Sequence, residues 1–62
     1  MSQYKVYYEV NDTWFLAGLV EAEDGGQAIE RMQKARAEEI SAVTGYSVKE
    51  VMEEMNFDFE KI

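Results

Sequence analysis

Polar and apolar residues alternate strictly near the start of the chain, in the segment QYKVYYEV at residues 3–10. Such alternation predicts a β-strand with one buried face. Residues 14–22, WFLAGLVEA, form an almost continuous apolar run, and the intervening NDT is typical of a turn. We therefore predict an N-terminal antiparallel β-hairpin.

The register of this hairpin follows if Asn11 and Asp12 are the two central residues of the turn. The predicted partners are Val10 with Thr13, Tyr8 with Phe15, Val6 with Ala17, and Tyr4 with Leu19. A three-residue loop would instead shift the register by one and exchange the two faces of one strand. In the first register, one face carries Tyr4, Val6, Tyr8, Phe15, Ala17 and Leu19, and the other carries Tyr7, Trp14, Leu16 and Val20 beside Lys5 and Glu9.

After the hairpin the spacing of apolar residues becomes helical. Asp24 is the predicted N-cap of a long helix, with Gln27 three residues later as in a capping box. Gly45 is the predicted left-handed residue that ends the helix. The predicted apolar face of this helix comprises Ala28, Ile29, Met32, Ala35 and Val43, with Ile40 at its edge.

A second, shorter helix is predicted to start after Ser47, with Glu50 completing its capping box. Apolar residues at i, i+3, i+4 and i+7 define its buried face. The final segment, FDFEKI, alternates again and leaves two alternatives open, a short third strand or an irregular arm. Whether Phe57 and Phe59 cover Trp14 also stays open. The predicted apolar stripe of the second helix comprises Val48, Val51, Met52 and Met55, opposite Lys49, Glu50, Glu53 and Glu54.

The predicted fold is therefore α+β in the order ββααβ: a β-hairpin packed on a long helix and a short second helix, with the tail as a candidate third strand. Sixty-two residues correspond to one small domain. The chain contains neither cysteine nor histidine. Their absence excludes disulfides, thiolate or imidazole metal sites and catalysis by either side chain. We expect no enzyme activity, no cofactor and no metal site.

The net charge of the chain restricts its possible partners. Its 13 acidic and 6 basic residues give a formal net charge of −7. Such a chain is a poor ligand for nucleic-acid phosphates but suits a basic protein surface. No apolar run approaches the roughly 20 residues of a membrane span. The N-terminal MSQYKVYYEV lacks a secretory pattern, so we expect a cytoplasmic protein that contacts neither membrane nor nucleic acid directly.

Residues 44–59, TGYSVKEVMEEMNFDF, resemble the second half of a helix-turn-helix, with a turn glycine at Gly45 and a capping serine at Ser47. The resemblance implies a DNA-binding regulator. DNA readers, however, present basic and amide side chains to bases and phosphates. The only basic residue on this helix is Lys49, so an ordinary helix-turn-helix corner is the favoured interpretation. The acidic residues of this helix are Glu50, Glu53 and Glu54.

Two surfaces remain as candidates for function. Acidic residues cluster in the last third of the chain, either as a solvated helix face or as an imitation of a phosphate array. Aromatic and aliphatic residues on the second face of the hairpin are typical of interfaces. We predict a non-catalytic interaction module, of the inhibitor type that phages encode, that occupies a basic, nucleic-acid-handling surface of a partner protein. The alternative is a homo-oligomeric structural or regulatory subunit joined through the aromatic face. The predicted partner-binding residues are Tyr7, Trp14, Leu16, Glu50, Glu53, Glu54 and Asp58.

Overall fold

A computed structural model describes the whole chain, residues 1–62, as a three-stranded antiparallel sheet with two helices packed on one face. β1 is the central strand, and the sheet order is β2-β1-β3. The α+β architecture is confirmed, and the tail forms the third strand. The elements are β1 (Ser2–Val10), β2 (Thr13–Ala22), α1 (Gly25–Thr44), α2 (Val48–Glu53) and β3 (Phe57–Lys61).

The hairpin turn has the two central residues that the sequence predicts. Asn11 and Asp12 have φ angles of 51° and 63°, the left-handed conformation of a type I′ turn. Asn and Asp adopt this conformation more readily than other non-glycine residues, and its twist matches that of the flanking strands. Two predicted pairings are confirmed, that of Val10 with Thr13 and that of Tyr8 with Phe15.

Beyond Tyr7 the predicted register is wrong, because β2 contains a β-bulge. Val6 pairs with Gly18 instead of Ala17, so β2 carries one extra residue against β1. Gly18 has a φ of 151°, and a Cβ at this position would lie 3.2 Å from Met32 Cε on α1. At the bulge, the backbone of β2 thus lies close to α1.

The bulge reverses the predicted faces of the two residues that follow it. Tyr4 pairs with Val20 instead of Leu19, so Val20 lies on the side of the sheet covered by the helices. We call this side the inner face and the opposite side, which carries Lys5 and Tyr7, the outer face. Leu19 lies on the outer face and is 58% exposed.

α1 begins and ends at the predicted caps. Asp24 Oδ1 accepts a hydrogen bond from the Gln27 backbone N–H at 2.8 Å. The Gln27 side chain in turn accepts from the N–H of Glu23, one residue before the cap. Gly45 ends the helix with a φ of 83°, and its N–H donates to the Ser41 carbonyl. Side-chain and glycine caps thus satisfy backbone groups that a helix leaves unpaired at its ends.

The buried face of α1 differs from the predicted one in its second half. Ile40 is buried, whereas Ala35 is exposed and Val43 is 79% exposed. The reason is that α2 packs beside the C-terminal half of α1, where Val51 of α2 shares a buried cluster with Ala37 and Ile40. Two apolar clusters result: Tyr4, Val6, Ala22, Ala28 and Met32 in the first, and Tyr8, Ala37, Ile40, Val51 and Met55 in the second.

α2 is held by a complete capping box. The Ser47 hydroxyl accepts from the Glu50 N–H at 3.1 Å, and Glu50 Oε1 accepts from the Ser47 N–H at 2.9 Å. Val51 is fully buried against the second cluster. Val48, the first member of the predicted stripe, is instead 43% exposed at the first position of this six-residue helix.

Ser47→Ala should lower the free energy of unfolding by about 1 kcal/mol, because it removes the side-chain acceptor of the N-cap. Ser47→Asp keeps an acceptor and serves as the control, with a change below about 0.5 kcal/mol. Urea denaturation followed by circular dichroism measures both values. Equal losses in the two variants would contradict a capping role for the hydroxyl.

β3 completes the sheet and sends its aromatic side chains inward. Phe57 pairs with Tyr8, and Phe59 pairs with Val6. The Phe59 ring meets the Tyr4 ring edge-on, with centroids 5.8 Å apart, and lies directly over Gly25 at the start of α1. The tail therefore covers one end of the core.

Candidate protein-interaction surface

The outer face of the sheet has no helix packed on it. Phe57 and Phe59 both lie on the inner face, which settles whether the tail covers Trp14: it does not. Trp14 is 46% exposed on the outer face, and Leu16, also on this face, is 56% exposed. Large exposed side chains that cluster on one face mark interaction sites more often than isolated ones do.

Four residues from three strands form the centre of this face, and we call them the outer-face site: Tyr7, Trp14, Asp58 and Glu60. β1 places Tyr7 in the middle, directly opposite Asp58 on β3. Trp14 comes from β2 and Glu60 from β3. Together with Phe59 they line an open depression of about 340 Å³.

Hydrogen bonds position several acidic groups on this face. The Tyr7 hydroxyl donates a long bond of 3.4 Å to Glu60 Oε1. The Asp58 carboxylate accepts from the backbone N–H of Phe59 at 2.8 Å. Near the hairpin turn, Asn56 Nδ2 donates to Glu9 Oε1 at 3.0 Å. The remaining oxygen lone pairs of these carboxylates are free for an incoming donor.

The charge of the outer face is strongly one-sided. By register, its carboxylates are those of Glu9, Glu21, Asp58 and Glu60, with Lys5 as its only cation. The ion pairs of the chain lie elsewhere: Lys34 with Glu30 and Arg36 with Glu39, both on α1.

Aromatic rings beside carboxylates are suited to binding cations. An arginine or lysine head group is attracted to the face of a tryptophan or tyrosine ring. Carboxylates add charge-assisted hydrogen bonds, which bind a guanidinium in a bidentate manner. No polar or charged residue of the chain is buried, and no three potential ligand residues converge on a metal position. The outer-face site thus offers recognition of a cationic side chain.

The seven predicted partner-binding residues fall on two separate surfaces. Tyr7, Trp14, Leu16 and Asp58 share the outer face. The acidic residues of α2 are exposed in the helical layer that covers the inner face, and Glu50 is engaged in the capping box. The α2 residues concerned are Glu50, Glu53 and Glu54.

The set predicted from sequence lacks the exposed Leu19 and three outer-face carboxylates, those of Glu9, Glu21 and Glu60. Leu19 is predicted on the other face because the regular hairpin register contains no bulge, although a glycine inside a strand, here Gly18, is a signal for one. Glu60 follows from Asp58 by simple alternation along β3.

Comparison of the chain with protein-family models, with curated proteins and with solved structures finds no match. Neither helix combines the length and the apolar character needed to cross a membrane.

Proposed function

We propose that this chain is a non-catalytic protein-interaction module whose outer-face site binds a basic surface of another protein. The observation that carries the proposal is the juxtaposition of exposed Trp14 and Tyr7 with the carboxylates of Asp58 and Glu60. Tryptophan and tyrosine are enriched at the hot spots of protein interfaces, and charges complementary to those of the partner provide specificity.

The partner would insert an arginine or lysine between the Trp14 ring and the β3 carboxylates. A cation on an exposed aromatic ring contributes about 0.5–1 kcal/mol, and more once the contact excludes water. Glu9, directly opposite Trp14, and Glu21 lie on the same face and would steer a positively charged partner toward it. The same carboxylates would disfavour acidic partners, which gives the site selectivity.

This charge pattern favours a basic partner over face-to-face association of two copies. Two outer faces brought together would oppose the same four carboxylates, with Lys5 as the only cation on each side. Like charges placed against each other across an interface are unfavourable by several kcal/mol. The homo-oligomeric alternative, with its contact through Tyr7, Trp14 and Leu16, is therefore the weaker proposal for this face.

Proteins that handle nucleic acids are the partner class we infer, because their phosphate-binding surfaces concentrate lysine and arginine. On such a partner surface, the carboxylates of the outer face would occupy the positions that nucleic-acid phosphates otherwise occupy. A chain bound there would exclude nucleic acid, so the inferred role is inhibition by occupancy.

Titration of the ¹⁵N-labelled protein with a short peptide of alternating arginine and glycine tests the site. Amide resonances of Tyr7, Asp58 and Glu60 and the Trp14 indole resonance should shift together. Affinity should fall as NaCl rises from about 50 to 500 mM, because salt screens exposed charges. Asp58→Asn combined with Glu60→Gln should weaken binding about tenfold, equivalent to about 1.4 kcal/mol.

Glu53→Gln combined with Glu54→Gln is the matched control, since it removes the same amount of charge from α2. This pair should change the affinity less than about twofold, because exposed charges beyond a Debye length of about 10 Å are largely screened. Equal weakening by the two pairs would show an unspecific charge effect and contradict the proposal. If the α2 pair weakened binding more than the β3 pair, the binding surface would be α2 and the proposal would be wrong.

A further inference from the structure

We infer that the free edge of β2 pairs with β2 of a second copy, giving a six-stranded sheet with two-fold symmetry. This inference goes beyond the proposed function, because it concerns the edge of the sheet and requires no other protein. The occupant is a second copy of the chain, and three features of β2 argue for it.

The first feature is a row of backbone groups that no element of the chain pairs with. β2 borders the sheet and is paired only with β1. In a two-residue hairpin the residues that flank the turn, Val10 and Thr13, exchange hydrogen bonds, and bonded and non-bonded pairs then alternate. The backbone N–H and C=O groups of Trp14 and Leu16 accordingly point to the free edge.

Only the far end of this edge is occupied from within the chain. Arg31 Nη1 donates to the Glu21 carbonyl at 2.9 Å. No hydrogen bond reaches the backbone of Trp14 or Leu16 from another segment. The section next to the turn is thus the open part of the edge.

The second feature is the absence of residues that protect exposed edges. Natural edge strands are commonly protected by charges, lysine above all, and by proline. Residues 13–20 of β2 contain neither a charged residue nor a proline, whereas the other edge strand, β3, carries Asp58, Glu60 and Lys61. Trp14, Phe15 and Leu16 are between 44% and 56% exposed. An uncharged apolar edge of this kind is a template for pairing.

The third feature is a pairing register in which the free backbone groups of Trp14 and Leu16 all form hydrogen bonds. With the two-fold axis at Phe15, Trp14 of one copy opposes Leu16 of the other, and the two exchange both backbone hydrogen bonds. Antiparallel partners point to the same side, so Trp14 meets Leu16 of the second copy on the outer face. The bulge at Ala17 and Gly18 ends this pairing on one side.

The inner side of the edge carries apolar and charged side chains. Phe15 of one copy faces Phe15 of the other across the axis. Beside the edge, a notch of about 120 Å³ is lined by apolar residues, among them Leu16 and Val43, and by the ion pair of Arg36 with Glu39. Val43 is 79% exposed.

Edge pairing avoids the charge repulsion expected for a face-to-face contact. Glu9, Asp58 and Glu60 lie on β1 and β3, so at least one strand spacing of about 4.8 Å separates them from the edge of β2. Glu21 lies on β2 but beyond the bulge, outside the paired section. Edge pairing also leaves both outer-face sites on the same side of the enlarged sheet. A second copy therefore fits the edge although it does not fit the face.

Sedimentation equilibrium of the protein alone, from about 5 µM to 1 mM, tests the inference. So short a pairing buries less than the roughly 1,200 Å² of a stable interface, so dimerisation should be weak and concentration-dependent. The mass should approach twice the 7.2 kDa of the monomer at the highest concentration. Hydrogen exchange at the Trp14 and Leu16 amides should slow over the same range, while the Phe15 amide, bonded to β1, should not change.

Leu16→Lys places a charge on the open section and should keep the protein monomeric at all concentrations. Leu19→Lys is the matched control beyond the bulge, with similar exposure, and should dimerise like the wild type. A wild-type monomer at 1 mM would overturn the inference, as would equal loss of dimer in both variants or slowed exchange at β3 instead of β2. Because no partner is present, these outcomes are independent of the peptide titration.

Discussion

Gly25→Ala should lower the free energy of unfolding by about 1–3 kcal/mol, the usual range for overpacking a filled site. The Phe59 ring lies so close to Gly25 that an added Cβ would overlap it. Gly26→Ala is the matched control one residue later, where a Cβ would meet only Asp24 Oδ1 at 3.4 Å. There alanine should raise the free energy of unfolding by about 0.5–1 kcal/mol, because alanine favours the helix over glycine.

Urea denaturation of the two variants should therefore give shifts of opposite sign. Phe59→Ala removes the obstructing ring, so Gly25→Ala in that background should become neutral or stabilising. The difference between the two backgrounds measures the coupling between the start of α1 and β3. If Gly25→Ala stabilised the protein with Phe59 intact, the packing of the tail over α1 would be wrong.

Val51→Ala should lower the free energy of unfolding by about 2 kcal/mol, from the lost burial of two methyl groups and the cavity they leave. Val51 is fully buried where α2 packs on α1, in the cluster that also contains Tyr8 and Ile40. At roughly 0.05–0.15 kcal/mol per residue, a domain of this size has few kcal/mol in reserve. We expect its melting temperature to fall by about 4–8 °C for each kcal/mol lost.

Val48→Ala is the control on the same helix, because Val48 is 43% exposed at the first helical position. Its effect on the melting temperature should be small, since exposed substitutions usually change stability by less than about 0.5 kcal/mol. Thermal denaturation followed by circular dichroism measures both variants. A loss for Val48→Ala comparable to that for Val51→Ala would contradict the orientation of α2.

The elements that local chemistry specifies could be predicted from the sequence. Asn11 and Asp12 tolerate a positive φ, Asp24 and Ser47 accept hydrogen bonds from free helix amides, and Gly45 adopts the left-handed conformation. Each of these signals acts within four residues along the chain. Together they determine where the turn and the helices lie and, with the alternation of the tail, the α+β class.

The features that could not be predicted from the sequence depend on contacts between segments far apart along the chain. The bulge at Gly18 lies beside Met32, which is 14 positions further along the chain. The choice between Ile40 and Val43 as the buried residue depends on where α2 docks. Periodicity within one helix allows either stripe, so only the neighbouring element decides.

The candidate site was predictable in its aromatic part but only partly in its acidic part. Alternation along the hairpin placed Tyr7, Trp14 and Leu16 on one face, as the structure does. Asp58 lies four positions after Glu54 in sequence, yet the chain leaves the helical layer between them and enters the sheet. Proximity along the chain therefore grouped carboxylates that the fold separates.

The central position of β1 has a consequence for the order in which the sheet is completed. β1 reaches β2 through a two-residue turn, but its pairing with β3 joins Tyr4 to Lys61, across almost the whole chain. Closing a longer loop costs more conformational entropy, and pairings far apart in sequence form more slowly. We therefore expect the pairing of β3 with β1 to form last. Until it forms, the hairpin leaves the second side of β1 unpaired, and the Tyr4 ring lacks its contact with Phe59.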